Sequence, residues 1–453
     1  MNTVRAKPSA AVIVGLGKTG FSCARYLHAH GWRVAVTDTR EKPPELARLQ
    51  AFDPTIPMRL GGLDASLLND ALVVVVSPGV ALNEPFFVEA RRRGLDIVGD
   101  VELFARAVDA PVVGITGTNG KSTVTTLVGR MASRAGLNAR VGGNLGEPAL
   151  DLLTASESDA RKTELYVLEL SSYQLESTVS LDLKAAVVLN VTPDHMDRYG
   201  TIEDYAAAKA RIFARCDTAV INLDDPLVVA MPRPGQPTLG FSLRASIGAE
   251  YAVVQGADSK WWLTRRGELL LALSDMKIAG LHNAANALAS LALGEALGLP
   301  LPAMLEELRE FTGLPHRSQW VADVNGVTYV NDSKGTNVGA TLAAVAGMPG
   351  PLVMIAGGDG KNQDFWPLAD AFRGKVRHCV LIGRDAPAIA KALDGVCPIE
   401  LATTLEDAVR AAARAAQAGD TVLLSPACAS LDMFRDYAHR GAVFTQAVKE
   451  LAA

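Results

Sequence analysis

Long apolar runs, paired cysteines and an excess of basic residues are all missing from this 453-residue chain, and each absence narrows what it can be. No apolar stretch approaches the roughly 18–20 residues that span a bilayer. The opening MNTVRAKPSAAVIVGLG has neither the apolar region nor the cleavage site of a secretory signal. The expected location is therefore cytoplasmic, with no membrane partner. Cys23, Cys216, Cys379, Cys397 and Cys428 are scattered without a C-x-x-C pair, which argues against a disulfide framework and against a zinc site. A formal net charge of −5 offers no basic footprint for nucleic acid, so a site for phosphates has to concentrate positive charge locally.

What is present is an alternation of Gly-terminated apolar runs with Ala/Leu-rich helical stretches, the mark of α/β architecture with mostly parallel sheets. The length exceeds what one core can organise, and three blocks can be read. A Rossmann-like block over 1–99 contains AAVIVGLG, RVAVTDTR and ALVVVVSPG. A central block over 100–312 contains PVVGI, ELYVLEL and AAVVLNVTPDH, with a more polar, antiparallel-looking insertion near YAVVQGADSKWWLTRRGELLLAL. A second Rossmann-like block over 313–453 contains LVMIAGGDGK, CVLIGRD and TVLLSPACAS.

The central block opens with PVVGITGTNGKSTVTTLVGRM, a strand, a glycine turn and a helix whose Val124, Leu127, Val128 and Met131 share one face. Such a turn aims backbone N–H groups and a helix N-terminus at an anion. Lys121 is placed to reach β- and γ-phosphates, and the Ser122 hydroxyl to sit on Mg²⁺. The usual phosphate loop wants a glycine at 115, where this chain has Ile115, and supplies Gly114 and Gly117 instead. The loop also wants an acid near the metal, and Glu169, closing LYVLE, is the candidate.

His195, in the TPDH run after the next apolar strand, falls at the same sheet edge. In TIEDYAAAKARIF, Thr201 and Asp204 form a capping box, and Tyr205, Lys209, Ile212 and Phe213 share the core-facing stripe. Spacing alone lets Lys209 either snorkel to solvent or, as a desolvated amine, take up CO₂ to become a carbamate. In the first block, VGLGKTG is a G-x-G-x-x-G turn between strand and helix, with Asp38 eighteen residues past Gly20. That spacing suits a nicotinamide-dependent dehydrogenase as well as a protein that binds a single nucleoside diphosphate.

Taken together, GTNGKST (117–123), LELSSYQLE (168–176), NVTPDHMDRY (190–199) and the Lys209 helix resemble the Mur ligase family. GGNLG (142–146), HNAANA (282–287), GLPHR (313–317), NDSKGTN (331–337), GGDGK (357–361) and LLSPACASLDMF (423–434) extend the resemblance over nearly the whole chain. They look like the members that add glutamate to UDP-N-acetylmuramoyl-L-alanine.

The resemblance implies an ATP- and Mg²⁺-dependent ligase of peptidoglycan precursor synthesis, working through an acyl phosphate and a tetrahedral intermediate, and D rather than L glutamate. It implies a monomer whose partners are its small-molecule substrates. By similarity, Gly117, Thr118, Asn119, Gly120, Lys121, Ser122 and Thr123 bind ATP, joined by Asn283, Asn286, Arg317, Asp332 and Lys334. Ser122 and Glu169 hold one Mg²⁺ and His195 a second, with Lys209 carbamylated nearby. Lys18, Thr19, Asp38, Thr39, Arg40 and Gly79 meet the UDP end of the substrate and Asn144 its muramoyl part. Thr336, Lys361, Ser430 and Tyr437 grip the incoming glutamate. Gly335 and Tyr437 depart from the residues most frequent there. Asn283 can alternatively be read as a helix N-cap, Ser430 as the cap of a helix from Leu431, and the overall chemistry as folylpolyglutamate synthesis.

Overall fold

The computed structural model describes residues 9–451 apart from 145, 196–197, 245–247, 279 and 349. The chain divides into two compact units, Met1–Ser242 with Ile247–Tyr251 and Ala289–Met304, and Leu243–Ser246 with Ala252–Leu288 and Leu305–Ala453.

The first unit holds two parallel sheets. One consists of β1 (Ala10–Val14), β2 (Arg33–Asp38), β3 (Met58–Leu60), β4 (Val73–Val76) and β5 (Asp96–Val98), in the order β3-β2-β1-β4-β5. Every pairing in it is parallel. The four valines of β4 are all buried, as expected for a strand covered on both faces. Strand order reverses between β1 and β4, which opens a crevice at their carboxyl ends. The turn after β1 requires its glycines: Gly15 has φ +93°, and a Cβ on Gly20 would lie 1.9 Å from the Gly15 carbonyl oxygen. Helix Lys18–Ala29 therefore packs directly on the strand it follows.

The second sheet has nine strands, of which the six in this unit run β11-β10-β9-β6-β8-β7 and pair in parallel. Its strands are β6 (Val112–Thr116), β7 (Ala139–Gly143), β8 (Leu165–Glu169), β9 (Leu183–Val188), β10 (Cys216–Asn222) and β11 (Thr238–Ser242). Here the reversal falls at β6, between β8 and β9, so the turn after β6 lies at the second crevice. The two sheets are separate in the sequence but share one core, a continuous buried cluster from Ala11 to Val228. Asp151 also ties them together, accepting from Ser22 Oγ at 2.5 Å and from Arg25 Nη2 at 3.0 Å.

After β12 (Tyr251–Gln255), β13 (Trp261–Arg265) and β14 (Glu268–Ala272) pair antiparallel, as the polar segment suggested. The second unit then carries a sheet ordered β15-β16-β20-β17-β18-β19. It comprises β15 (Gln319–Val324), β16 (Val327–Asn331), β17 (Leu352–Gly357), β18 (Val376–Ile382), β19 (Ile399–Leu401) and β20 (Thr421–Leu424), with only the β15–β16 pair antiparallel. Separate apolar clusters cover its two faces. Among the described residues no helix is long and apolar enough to cross a membrane.

The Gly15–Gly20 contact gives the fold a direct test. Gly20→Ala should destabilise the first unit by about 1–3 kcal/mol, because a methyl group would be driven into a backbone oxygen. Thermal unfolding followed by circular dichroism would register this as a lowered midpoint.

Candidate active site

The turn after β6 shows why the first glycine of the commoner phosphate loop is dispensable here. Ile115 lies within the strand, in register with Glu169 of β8 and Val187 of β9, and it is fully buried. The loop starts at Gly117, where φ is +148° and a Cβ would lie 2.9 Å from Leu189 Cβ, so a side chain is excluded. Gly120, at φ +85°, caps helix Lys121–Arg134. Asn190, just past β9, fastens the loop: its Oδ1 accepts from Asn119 N at 2.8 Å and its Nδ2 donates to Asn119 O at 3.1 Å. Its carbonyl also accepts from Thr118 N at 2.9 Å. Sequence reasoning passed over Asn190, although a polar residue closing the apolar run VVLN was the available signal. Lys121 folds back on the loop, its Nζ donating to the carbonyls of Gly117 (2.8 Å) and Thr118 (2.9 Å). Ser122 and Thr123 are buried in the first turn of the helix.

Glu169 closes β8 with a buried carboxylate. Its Oε2 accepts from Ser122 Oγ at 2.7 Å and its Oε1 from Asn144 Nδ2 at 2.7 Å, while its carbonyl accepts from Asn144 N at 2.8 Å. An all-oxygen hydroxyl–carboxylate pair beside a phosphate loop fits Mg²⁺, which binds through one or two carboxylates and completes its shell with phosphates and water. Among the described residues no group of three or more His, Cys, Asp and Glu could hold a metal without such help.

Lys209 does not snorkel. It is 1% exposed, its Nζ donates to Gly117 O at 3.0 Å and lies 4.3 Å from the centre of the Tyr205 ring. Burial, and then the charge of Lys121, push its pKa down from 10.5 to about 7. The Thr201–Asp204 capping box is formed as the spacing predicts. His195 adopts φ +56°, its Nδ1 is 2.8 Å from the Tyr173 hydroxyl, and its ring packs against those of Tyr173 and Tyr205. Tyr205 thus lies against both His195 and Lys209. Tyr173, which in the sequence is only one letter of a longer motif, orients the imidazole. Arg198 lies over its ring at 4.2 Å and pairs with Glu176 at 2.5 Å.

A cavity of about 580 Å³ opens at the crevice of the first sheet. Lys18, Thr19, Asp38, Thr39, Arg40, Gly79 and Asn144 all line it, together with Ser77, Pro78 and Gln174, which sequence reasoning missed. Asp38 is buried and engaged on both oxygens: Oδ2 accepts from Leu16 N (2.7 Å) and Arg40 Nη2 (2.7 Å), and Oδ1 from Arg40 N (2.8 Å) and Nε (2.9 Å). Burial alone would raise its pKa, but Arg40 and the two backbone donors outweigh it and hold the carboxyl below its ordinary value. Lys18 Nζ donates to Gly146 O, another residue of the cavity wall. Asn144 belongs both to this cavity and to the Glu169 cluster.

In the second unit, Asp332 follows β16 and is buried, with Oδ1 accepting from Ser318 N at 3.0 Å and Oδ2 from Ser425 Oγ at 2.8 Å. Burial raises its pKa to about 6. Lys334 Nζ lies 4.0 Å from the centre of the Tyr437 ring, and Lys334 N donates to His316 O, beside Arg317. Thr336 shares the Lys334 loop, and Lys361 has φ +49° in the loop after β17. Asn283 is no N-cap, since it lies inside helix Leu281–Ala296, and Asn286 Nδ2 donates to its Oδ1 at 3.3 Å. Ser430 caps no helix either. Its carbonyl closes a turn onto Met433 and Phe434, and the helix begins only at Tyr437.

The low pKa of Lys209 sets a stability test. A free amine that titrates near 7 when folded and near 10.5 when unfolded lowers stability below that window, and the loss fades as pH rises through it. In CO₂-depleted buffer at pH 7, Lys209→Met should stabilise the protein by on the order of 1–3 kcal/mol, with the gain vanishing towards pH 10.5. Thermal melts of both proteins across pH 7 to 10 would check it.

Residues 9–99 match the MurD-like N-terminal domain of Mur ligases, 115–294 the Mur ligase middle domain, and 316–428 the Mur ligase glutamate ligase domain. The UDP-N-acetylmuramoylalanine--D-glutamate ligase of Nitrosococcus oceani is 52% identical over 98% of this chain and 97% of its own. Its counterpart in Pseudomonas aeruginosa is 50% identical over 97% and 98%. Among solved structures, a UDP-N-acetylmuramate-alanine ligase from Thermotoga maritima superposes with a TM-score of 0.59 at 19% identity, covering 97% of this chain and 99% of its own, a likeness of fold alone. The dehydrogenase reading of the first glycine turn is thereby set aside. With three consecutive domain matches and relatives about half identical from end to end, the chain belongs to the Mur ligase family.

Proposed function

We propose that this protein is the ATP-dependent ligase that joins D-glutamate to UDP-N-acetylmuramoyl-L-alanine, a step of peptidoglycan precursor synthesis carried out in the cytoplasm by a monomer. The observation that carries the reading is Asn144, which lines the nucleotide-sized cavity while donating to the carboxylate that faces the phosphate loop. A substrate whose UDP lies against Lys18, Thr19, Asp38, Thr39, Arg40 and Gly79 would extend past Asn144 towards the loop. Its far end would then present the alanyl carboxylate to ATP.

A carboxylate is a poor electrophile. Its oxygen attacks the γ-phosphorus, ADP leaves, and an acyl phosphate results. The glutamate amine then adds to the acyl carbon, and the tetrahedral intermediate collapses by expelling orthophosphate. Both steps bring anions together, so positive charge has to be fixed in place beforehand. Lys121, resting on the Gly117 and Thr118 carbonyls, swings from them to the phosphates. Ser122 and Glu169 would hold one Mg²⁺ and His195 would help hold a second, which would supply further charge neutralisation.

Lys209 is read as carbamylated. A buried amine titrating near 7 is neutral often enough to capture CO₂, and the anion so formed would add a second anionic oxygen group to a region where, among the described residues, no three His, Cys, Asp or Glu side chains gather to hold a metal. In the second unit, Asn283, Asn286, Arg317, Asp332 and Lys334 are assigned to ATP, and Thr336, Lys361, Ser430 and Tyr437 to glutamate.

Orthophosphate release with ATP, Mg²⁺, UDP-N-acetylmuramoyl-L-alanine and each glutamate enantiomer, read beside chiral analysis of the product, tests the assignment. Phosphate should appear in step with a D-glutamyl product and not with L-glutamate or a folate acceptor. A folate product, or hydrolysis indifferent to the muramoyl substrate, would overturn it. Glu169→Gln should lower kcat about 100-fold, because Ser122 and Asn144 lose their shared charged acceptor. Removing CO₂ should lower activity reversibly, with bicarbonate restoring more at pH 8 than at pH 6.5, since only the neutral amine reacts; steady-state rates in degassed buffer give the readout.

A further inference from the structure

The second unit encloses a fully buried arginine with no carboxylate among its hydrogen-bond partners in the described residues. Arg440 stands on the first turn of helix Tyr437–Leu451. Its guanidinium makes five bonds to neutral oxygens: Nε to Ser333 Oγ (3.0 Å), Nη2 to Ser333 O (2.9 Å) and Cys428 O (3.1 Å), and Nη1 to Cys428 O (3.2 Å) and Ala429 O (3.4 Å). Burial lowers its pKa to about 10, which still leaves it charged at neutral pH. A cation buried among neutral oxygens is costly, and an apolar side chain of similar length would fill the same space without that cost. What an apolar chain cannot do is hold three acceptor residues on two loops at fixed separation, as a planar guanidinium fork does.

Those two loops carry the residues assigned to glutamate and to the phosphates. Ser333 immediately precedes Lys334 in the loop after β16, and Cys428 and Ala429 immediately precede Ser430 in the loop after β20. The clamp reaches a third loop, because Ala429 and Asp359 exchange backbone hydrogen bonds at 3.0 and 2.8 Å, two residues before Lys361. It also reaches Tyr437, whose carbonyl accepts from Ser333 Oγ at 2.8 Å and whose ring faces Lys334. Arg440 itself touches backbone and one hydroxyl, so it acts through these neighbours.

We propose that Arg440 is a positioning residue: its guanidinium fork fixes the loop bearing Lys334 and Thr336 against the loop bearing Ser430, and so sets the affinity for glutamate. This rests on the reading of the second unit as the glutamate-binding one. The test is steady-state kinetics of the full-length enzyme with Arg440→Lys, which keeps the charge and loses the fork, and with Ser333→Ala, a small change that removes the Nε acceptor and the Tyr437 link. Arg440→Lys should raise the KM for glutamate about tenfold and leave the KM for UDP-N-acetylmuramoyl-L-alanine within about twofold. Ser333→Ala should raise the glutamate KM about threefold in a protein still folded at the assay temperature, with a lowered unfolding midpoint because Arg440 Nε loses its acceptor. If the wild type makes no glutamyl product, the proposed function fails. If it does, and both variants keep the wild-type glutamate KM, or the two KM values rise in proportion, the positioning role is overturned. Should Arg440→Lys not fold, the Ser333→Ala result decides alone.

Discussion

The arrangement of the first unit depends on one buried carboxylate. Glu169 stands at the end of β8, next to the strand that feeds the phosphate loop, and both of its oxygens are engaged, by Ser122 and by Asn144. A carboxylate withdrawn from water is tolerable only with donors or a cation at hand. Meeting that need draws together the first turn of helix Lys121–Arg134, the end of β7 and the edge of the nucleotide-sized cavity. The parallel order with β6 between β8 and β9 makes this possible, since it brings three carboxyl-terminal strand ends to one crevice.

Around this carboxylate the unit gathers two lysine side chains on one neutral oxygen of the fold. Lys121 and Lys209 both donate to the carbonyl of Gly117, and the proximity of one lowers the proton affinity of the other. Such a pair is poorly suited to a protein that never meets polyanions and well suited to one that handles a triphosphate. The second unit repeats the pattern, with a buried acid, Asp332, held by Ser318 and Ser425, and a buried cation, Arg440, held by carbonyls. In both units charges are fixed by neutral groups of the fold, so they are oriented before any ligand arrives.

The rings of Tyr173 and Tyr205, both packed against that of Tyr199, serve orientation too. His195 adopts a left-handed backbone conformation uncommon for a residue with a Cβ, and two rings and a hydroxyl hold it there. Arg198 lies over Tyr173 while its Nη1 donates to Pro78 O at 3.2 Å, so the residue that orients the imidazole is also tied to the wall of the cavity.

Much of this was written in local patterns. Helix period buried Val124, Leu127, Val128 and Met131, short unbroken apolar runs buried β4 and β6, and glycines marked the turns, because each of these depends on neighbours only a few residues away. The sequence also determined which residue types reach the crevices, because strand ends in parallel sheets point their loops to one edge. Tertiary structure alone decided the rest. Whether Lys209 reaches water depends on Tyr205 and Gly117, and the use of Asn144 depends on Glu169, twenty-five residues away in the chain. The caps suggested for Asn283 and Ser430 failed because helix boundaries answer to packing as much as to capping residues. Arg440 gave no sign in the sequence at all, since its partners are backbone oxygens and one hydroxyl on two distant loops, and backbone oxygens are the same at every position of every chain.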